Sequence, residues 1–301
     1  MLPFRKKSKN SAELTALQVL QNGVAVASAT EKSGHSGLTY VGFCDQAAPL
    51  DHPQAVKEFL DKAGLLEQKC SLVLSPGEYQ LLLIEAPDVP PEELKEAILW
   101  RVKDLVQIPI DDVMLDYFEL PDDAFRGRGK MIYVVVADRN LIDMRVAWLT
   151  KLDVQPVCID VPEMVLLNIA QELSLSETGT AFLLLGDQHS LVNLFSSGAL
   201  YMSRGLPYNH QTHIDNIVLD LQRSMDYFES QIGCSPCVRI FVVPLQEGET
   251  PLLMELRNNL SADVQSLDLS DVVESAVLLT IDLQKRCFVA IAAALRTGLK
   301  I

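Results

Sequence analysis

The chain has 301 residues, of which 49% are hydrophobic and 22% are charged, and its 25 basic and 40 acidic residues give a formal net charge of −15. That length suits two domains of roughly 150 residues each, and the composition can bury two cores and excludes a disordered chain. So acidic a chain repels phosphate backbones, which argues against nucleic-acid binding.

The first ten residues are polar and basic and are expected to form a solvated tail. Leu2 and Phe4 lie among its cations, so weak contact with anionic lipid is the alternative. No apolar run approaches the roughly 18 residues of a membrane span, and no apolar region follows the basic start as it does in a signal peptide. The sequence therefore predicts a soluble cytoplasmic protein.

The cysteines and histidines predict no metal or redox site. Six cysteines are scattered along the chain, which is typical of reduced cytosolic thiols. Cys234 and Cys237 form a lone CxxC before a predicted strand, whereas a redox CxxC opens a helix and a structural zinc site needs two further ligands. His210 and His213 could share a helix face, but no carboxylate or cysteine lies at ligand spacing.

The first half of the chain opens with an antiparallel meander and then alternates strands and helices. Asn22-Gly23 is a hairpin-turn signal, and Gly64 stands where a helix C-cap is expected. Pro91 and the acids after it favour a helix start, and Pro109 is expected to end that helix. The predicted strands span residues 14–20, 24–29, 38–43, 70–74, 79–85, 113–120, 131–137 and 156–160, and the predicted helices span residues 53–63, 94–106, 139–152 and 162–172.

The opening pattern returns after the polar stretch at residues 174–179, which indicates a duplicated architecture of the α/β class. The predicted strands there span residues 181–185, 191–195, 200–204, 240–243 and 264–266, and the predicted helices span residues 213–232, 252–259 and 287–295. The predicted units are a basic tail at 1–10, a first domain at 11–176 with an inserted subdomain at about 70–137, and a second domain at 177–301.

The second predicted helix carries a tryptophan away from its apolar face. Leu94, Ile98, Val102 and Leu105 form one stripe at helical spacing. Trp100 points roughly 120° or more from the centre of that stripe, at about 100° per residue. A large aromatic side chain off the core face is a candidate for partner binding, and a second core layer over it is the alternative.

No catalytic motif stands out, because the sequence contains no GxSxG, HExxH or P-loop pattern. Asp111, Asp112 and Asp116 could be imagined as an acid pair or a metal cluster. The first two fit a turn after Pro109, where Asp bonds its own backbone, and Asp116 alternates with apolar residues as a strand-face residue does. No catalytic residue is therefore predicted.

Residues 89–117, VPPEELKEAILWRVKDLVQIPIDDVMLDY, resemble the PilM family of type IV pilus biogenesis proteins. That family carries an acidic helix with a tryptophan, a short proline-containing turn and a Val-x-Leu-Asp-Tyr strand. Residues 138–160, 222–228 and 290–298 resemble further parts of it, so the resemblance covers nearly the whole chain. Within the family, the sequence is most similar to the MshI type of the mannose-sensitive haemagglutinin (MSHA) pilus system.

The resemblance implies an actin-like (FtsA/PilM-type) two-domain α/β fold, each domain opening with a three-stranded antiparallel meander. It also implies a cytoplasmic scaffold at the inner face of the inner membrane, which binds the N-terminal cytoplasmic tail of a PilN-type inner-membrane protein. Membrane association would then be indirect, through that partner. Trp100, Leu105 and Ile108 are the residues expected to contact the tail.

The resemblance also implies where a nucleotide would bind, at a Gly- and Ser-rich hairpin turn near the start of each domain. Here the first turn, at Asn22-Gly23, lacks the acid and serines of PilM relatives, and the second, at Gly186-Asp187, keeps one glycine. Residues 242–245 replace the late Gly-Gly that would approach adenosine. These departures argue against ATP binding and hydrolysis, so no cofactor and no enzymatic activity are expected. The alternatives are an actin-like ATPase with a degenerate pocket, and a GspL-type secretion protein, a family that usually carries a membrane span.

Overall fold

The computed structural model describes residues 13–32, 35–125, 127, 129–175 and 178–297, so the tail predicted at 1–10 lies outside the described residues. Its strands are β1 (Glu13–Leu20), β2 (Gly23–Lys32), β3 (His35–Asp45), β4 (Lys69–Val73), β5 (Tyr79–Glu85), β6 (Val113–Glu119), β7 (Met131–Asp138), β8 (Gln155–Asp160), β9 (Gly179–Leu184), β10 (Ser190–Ser196), β11 (Ala199–Leu206), β12 (Cys237–Val243) and β13 (Asp263–Ser266). Its α-helices are α1 (Pro53–Ala63), α2 (Pro91–Val102), α3 (Arg139–Lys151), α4 (Pro162–Glu172), α5 (Ile214–Tyr227), α6 (Pro251–Asn259) and α7 (Ile281–Ala294).

Two five-stranded sheets share one topology, which confirms the predicted duplication. The first has the strand order β3-β2-β1-β4-β8 and the second the order β11-β10-β9-β12-β13. In each sheet an antiparallel meander continues into two parallel strands. Helices cover both faces of each sheet, so nearly every residue in the middle of β1 and of β10 is buried.

The helices α4 and α7 are exchanged between the two sheets. Helix α4 follows β8 of the first sheet but packs on β10 and β11 of the second, and α7 follows the second sheet but packs on β1, β2 and β3. The two helices contact each other, and the Asn168 Nδ2 group donates a hydrogen bond of 2.8 Å to the Ala292 carbonyl at their contact. Small buried residues at 290 and 292–294 allow this close approach.

A third, antiparallel sheet of order β5-β7-β6 lies between β4 and β8 in the chain. Helix α2 covers one face of it with Ile98 and Val102. The insertion was predicted at about 70–137, but β4 pairs with β1 and β8 in the first sheet, so the third sheet begins at Tyr79. The inserted unit is accordingly defined here as residues 79–138.

Several predicted bounds change in the structure. Helix α2 ends at Val102, well before Pro109, so the prediction of Leu105 as a member of its apolar stripe is wrong. Helix α5 ends at Tyr227 and continues as a π-helical turn to Ile232, after which Gly233 adopts a left-handed φ of 86°. No helix of the described residues is long and apolar enough to span a bilayer.

Candidate functional site

The outer face of α2 carries an exposed tryptophan. The buried side of the helix packs Ile98 and Val102 against the third sheet, and Trp100 points outward with 56% of its surface exposed. The Nζ atom of Lys103 lies 4.9 Å from the centroid of its ring, which is a cation–π distance. A second core layer does not cover Trp100 in the described residues.

Leu105 and Ile108 differ in their surroundings. Leu105 lies in the turn after α2, where its N–H donates a 2.9 Å bond to the Val102 carbonyl, and its side chain is 57% exposed. Ile108 is half-buried and packs against the core between α2 and the third sheet. The structure therefore exposes Trp100 and Leu105 and uses Ile108 in part as core. We call Trp100 and Leu105, with the residues around them on α2 and the following turn, the α2 face.

The α2 face is strongly acidic. Residues 88–116 contain eight carboxylates and three cations, and the acids at 92, 93, 96, 104, 111 and 116 are exposed. Exposed large apolar side chains that are surrounded by charges of one sign mark a binding surface for a partner of the opposite charge. The arrangement fits a basic segment that offers an apolar side chain.

The first predicted nucleotide turn is a two-residue hairpin with its own structural explanation. Leu20 pairs with Gly23, so Gln21 and Asn22 are the exposed turn residues and Gly23 is the first buried residue of β2. A Cβ atom on Gly23 would lie 2.2 Å from the Cys44 carbonyl oxygen and 2.4 Å from the Phe43 ring. The glycine is therefore required by the close approach of β3.

Because β3 approaches residue 23 so closely, a methyl group added there should lower the free energy of unfolding. We expect Gly23→Ala to lower the free energy of unfolding by about 1–3 kcal/mol, because the Cys44 backbone must shift. Asn22→Ala, at the exposed neighbouring position, should change it by less than about 0.5 kcal/mol. Urea unfolding of both variants is the measurement, and a Gly23→Ala variant as stable as the parent chain would refute this reading of the turn.

The second predicted turn is held by the chain's own side chains. A ring nitrogen of His210 lies 3.0 Å from the Gly186 carbonyl, and the Asn209 amide donates a 2.7 Å bond to the Asp187 carbonyl. A Cβ atom on Gly186 would lie 2.3 Å from the His189 carbonyl. Backbone packing alone thus explains why both candidate positions are glycine, and a bound phosphate is not needed as the explanation.

A buried ion pair lies at the carboxyl edge of the first sheet, and the sequence analysis missed it. Asp160 ends β8, is 5% exposed, and is paired with Arg296 from the segment after α7. Its Oδ1 atom also accepts a 3.0 Å bond from the Val161 N–H. Both oxygens are engaged, so this carboxylate is not free to act as a general base. No local spacing relates residues 136 positions apart, so the sequence held no signal for this pair.

A second buried carboxyl joins three parts of the fold. The Tyr79 hydroxyl of β5 donates a 2.7 Å bond to Glu163 Oε2 on α4, and the Asn193 amide of β10 donates a 2.9 Å bond to the Glu163 carbonyl. Burial raises the pKa of Glu163 above its usual value, against the opposing effect of the Tyr79 hydrogen bond. This network connects the inserted unit, α4 and the second sheet.

Cys237 of the CxxC pair is unsuited to act as a thiolate. Cys237 is buried and Cys234 is half-buried, and burial raises the pKa of Cys237 to about 11. A raised pKa disfavours the thiolate that redox exchange and metal binding both need.

No protein-family model matches the chain, and no curated protein matches it. Among solved structures, a chain of a PilM–PilN type IV pilus biogenesis complex is similar at a TM-score of 0.75 and 18% identity, over 94% of this chain and 97% of that chain. A Bacteroides thetaiotaomicron protein with an actin-like ATPase fold and unknown function is similar at a TM-score of 0.55 and 8% identity, over 95% and 99%.

The cytoplasmic domain of EpsL, an inner-membrane component of the type II secretion system of Vibrio cholerae, is similar at a TM-score of 0.50 and 12% identity, over 95% of this chain and 96% of that domain. Identities this low show the fold alone. The paired five-stranded sheets, the exchanged helices and these similarities together show that the chain has a two-domain actin-like fold.

Proposed function

We propose that this chain is a cytoplasmic, PilM-type scaffold of type IV pilus biogenesis, of the MSHA type, and not an enzyme. In this proposal it lies at the inner face of the inner membrane and binds the N-terminal cytoplasmic tail of a PilN-type inner-membrane protein through the α2 face. The observation that carries it is the exposed Trp100 within the segment whose sequence resembles PilM, in a fold similar over 94% of the chain to a PilM–PilN complex.

The geometry of the predicted nucleotide positions supports a role without hydrolysis. The two turn glycines are explained by backbone packing, so their presence does not by itself indicate a phosphate site. The Asp160 carboxylate is neutralised by Arg296. An acid–base group for attack on a phosphate would have to be free, and Asp160 is held by Arg296 and by the Val161 N–H.

The proposed contact predicts that Trp100→Ala weakens tail binding much more than it destabilises the fold. Tail affinity should fall about thirtyfold, because the loss of a binding hot spot typically costs about 2 kcal/mol or more. The free energy of unfolding should change by less than about 1 kcal/mol, because Trp100 is more than half exposed. Fluorescence titration with a labelled tail peptide and thermal unfolding measure the two effects.

Met144→Ala is the matched control for this experiment. Met144 is a similarly exposed apolar residue on α3, outside the α2 face, so its loss should leave tail affinity unchanged. A Trp100→Ala variant with a strongly lowered melting temperature and undiminished tail affinity in its folded fraction would show that Trp100 is structural.

Two alternatives keep specific observations in their favour. The similarity to a protein with an actin-like ATPase fold favours a nucleotide-binding ATPase of the same machine. Saturable binding of a fluorescent ATP analogue, abolished by Asn22→Trp at the exposed first turn, would support it. Gly186 is a poor site for such a variant, since any Cβ there meets the His189 carbonyl. The similarity to the EpsL domain favours a GspL-type role in type II secretion. In that case the chain should bind the cytoplasmic tail of a secretion protein in place of the PilN-type tail.

A further inference from the structure

The loop between β6 and β7 leaves the third sheet and enters the core of the second domain. Leu120, Ala124 and Phe125 are buried in one cluster with residues of β11 and the end of α5, and Tyr133 of the third sheet belongs to the same cluster. Phe125 is 1% exposed and is among the largest fully buried side chains. A loop residue of the inserted unit is therefore a core residue of the other domain.

Three contacts hold this loop in place. The Phe125 N–H donates a 3.2 Å hydrogen bond to the Ile232 carbonyl, and its ring meets the Tyr227 ring edge-on at a centroid distance of 6.2 Å. The Tyr201 hydroxyl of β11 donates a 2.8 Å bond to Asp123 Oδ1. Each contact joins the inserted unit to an element of the second domain.

A fourth contact lies beside the loop and uses the free edge of β11. The Tyr133 hydroxyl of β7 accepts a 2.9 Å bond from the Ser203 N–H and donates a 3.3 Å bond to the Ser203 carbonyl. One side chain thus satisfies both backbone groups of an edge-strand residue, as a neighbouring strand would.

The backbone at Phe125 shows that the surroundings impose this conformation. Its φ is +56°, a left-handed value that is rare for a bulky residue and persists where the surrounding structure over-determines it. Among the third-sheet residues that face the second domain, Tyr133 is buried, and four others are half-buried (Leu81, Leu83, Phe118 and Met131). Phe125 and Tyr133 are therefore the deeply buried aromatic contacts of an interface whose other third-sheet residues are half-buried.

We propose that Asp123 to Phe125 form a strap that fastens the inserted unit to the second domain, independently of any ligand between the domains. The strap fixes the orientation of the third sheet, and of the α2 face on its far side, relative to the second domain. Releasing Phe125 loosens the inserted unit from the second domain around the strap, and the neighbouring Tyr133 contact with Ser203 opens with it. The Tyr79 bond to Glu163 of α4 remains as a separate link. This inference does not depend on which partner the α2 face binds.

Hydrogen exchange measured by mass spectrometry on the full chain tests the strap. We expect Phe125→Ala to speed exchange at least about tenfold in peptides that contain Phe125 and Ser203, because opening of the interface exposes both amides. Exchange in β1 and β2 of the first sheet should stay unchanged. Asp122→Ala, at an exposed position of the same loop, is the matched control and should change neither segment.

Tyr201→Phe provides a milder variant in case the alanine variant folds poorly. It removes the hydroxyl that bonds Asp123 and keeps the ring that packs edge-on against Phe228 at 6.0 Å. We expect a severalfold faster exchange in the same two segments. Unchanged exchange at Ser203 in both variants, or acceleration spread equally over β9 and β12, would overturn the proposal, because Phe125 would then be an ordinary core residue of the second domain.

Discussion

Arg296→Met is expected to lower the free energy of unfolding by about 3–5 kcal/mol. The substitution keeps a long apolar side chain but leaves the Asp160 carboxylate, which is 5% exposed, without its counter-charge. Removing one partner of a buried ion pair costs this much because an uncompensated charge stays in a site with little water. Chemical denaturation of the variant at neutral pH is the measurement.

The double variant Asp160→Leu/Arg296→Met separates the loss of charge balance from the loss of packing. It should recover part of the lost stability, because it removes the unpaired charge but leaves the buried Val161 N–H without its Asp160 acceptor. Arg296→Lys should fall between the parent chain and Arg296→Met, since it keeps the charge without the planar guanidinium. A single Arg296→Met variant that loses less than about 1 kcal/mol would show that water already screens Asp160.

Phe182→Ala is expected to cost about 3–5 kcal/mol. Phe182 of β9 is fully buried, and its ring lies 5.4 Å from the ring of Phe195 and 5.3 Å from that of Phe241. The same core contains residues of β1 and of the exchanged helices α4 and α7, so the cavity would open where the two domains meet. Calorimetric unfolding measures the loss and shows whether one transition remains.

Phe182→Leu is the matched control, because it leaves a smaller cavity and should cost clearly less than the alanine variant. Two separate transitions in the alanine variant would mean that this core couples the domains. An alanine variant with nearly unchanged stability would contradict the arrangement of Phe182 among the aromatic rings.

The repeated meander and most strand positions were predictable because they depend on local patterns. Turn residues and short apolar runs place the strands, and Gly64 at the end of α1 adopts the left-handed φ of 71° that its C-cap position requires. The similarity between the two halves then predicts the paired sheets, because each half repeats the same order of elements. These features need no knowledge of distant contacts.

The exchanged helices and the buried polar groups were not predictable in this way. Nothing local distinguishes a helix that packs on its own sheet from one that packs on the other, as α7 does. Trp100 was placed correctly off the buried face because helical periodicity is local, whereas Leu105 was misplaced because α2 ends three residues earlier. The contacts of Phe125 and Arg296 join distant segments, so only the folded chain reveals them.

The most direct test of the scaffold role is titration of the N-terminal cytoplasmic tail of the PilN-type protein onto the full chain, with and without Mg-ATP. Saturable binding at about micromolar concentration, unchanged by nucleotide and weakened by Trp100→Ala but not by Met144→Ala, is the predicted result. An absence of saturable binding, or binding that appears only with ATP, would contradict it.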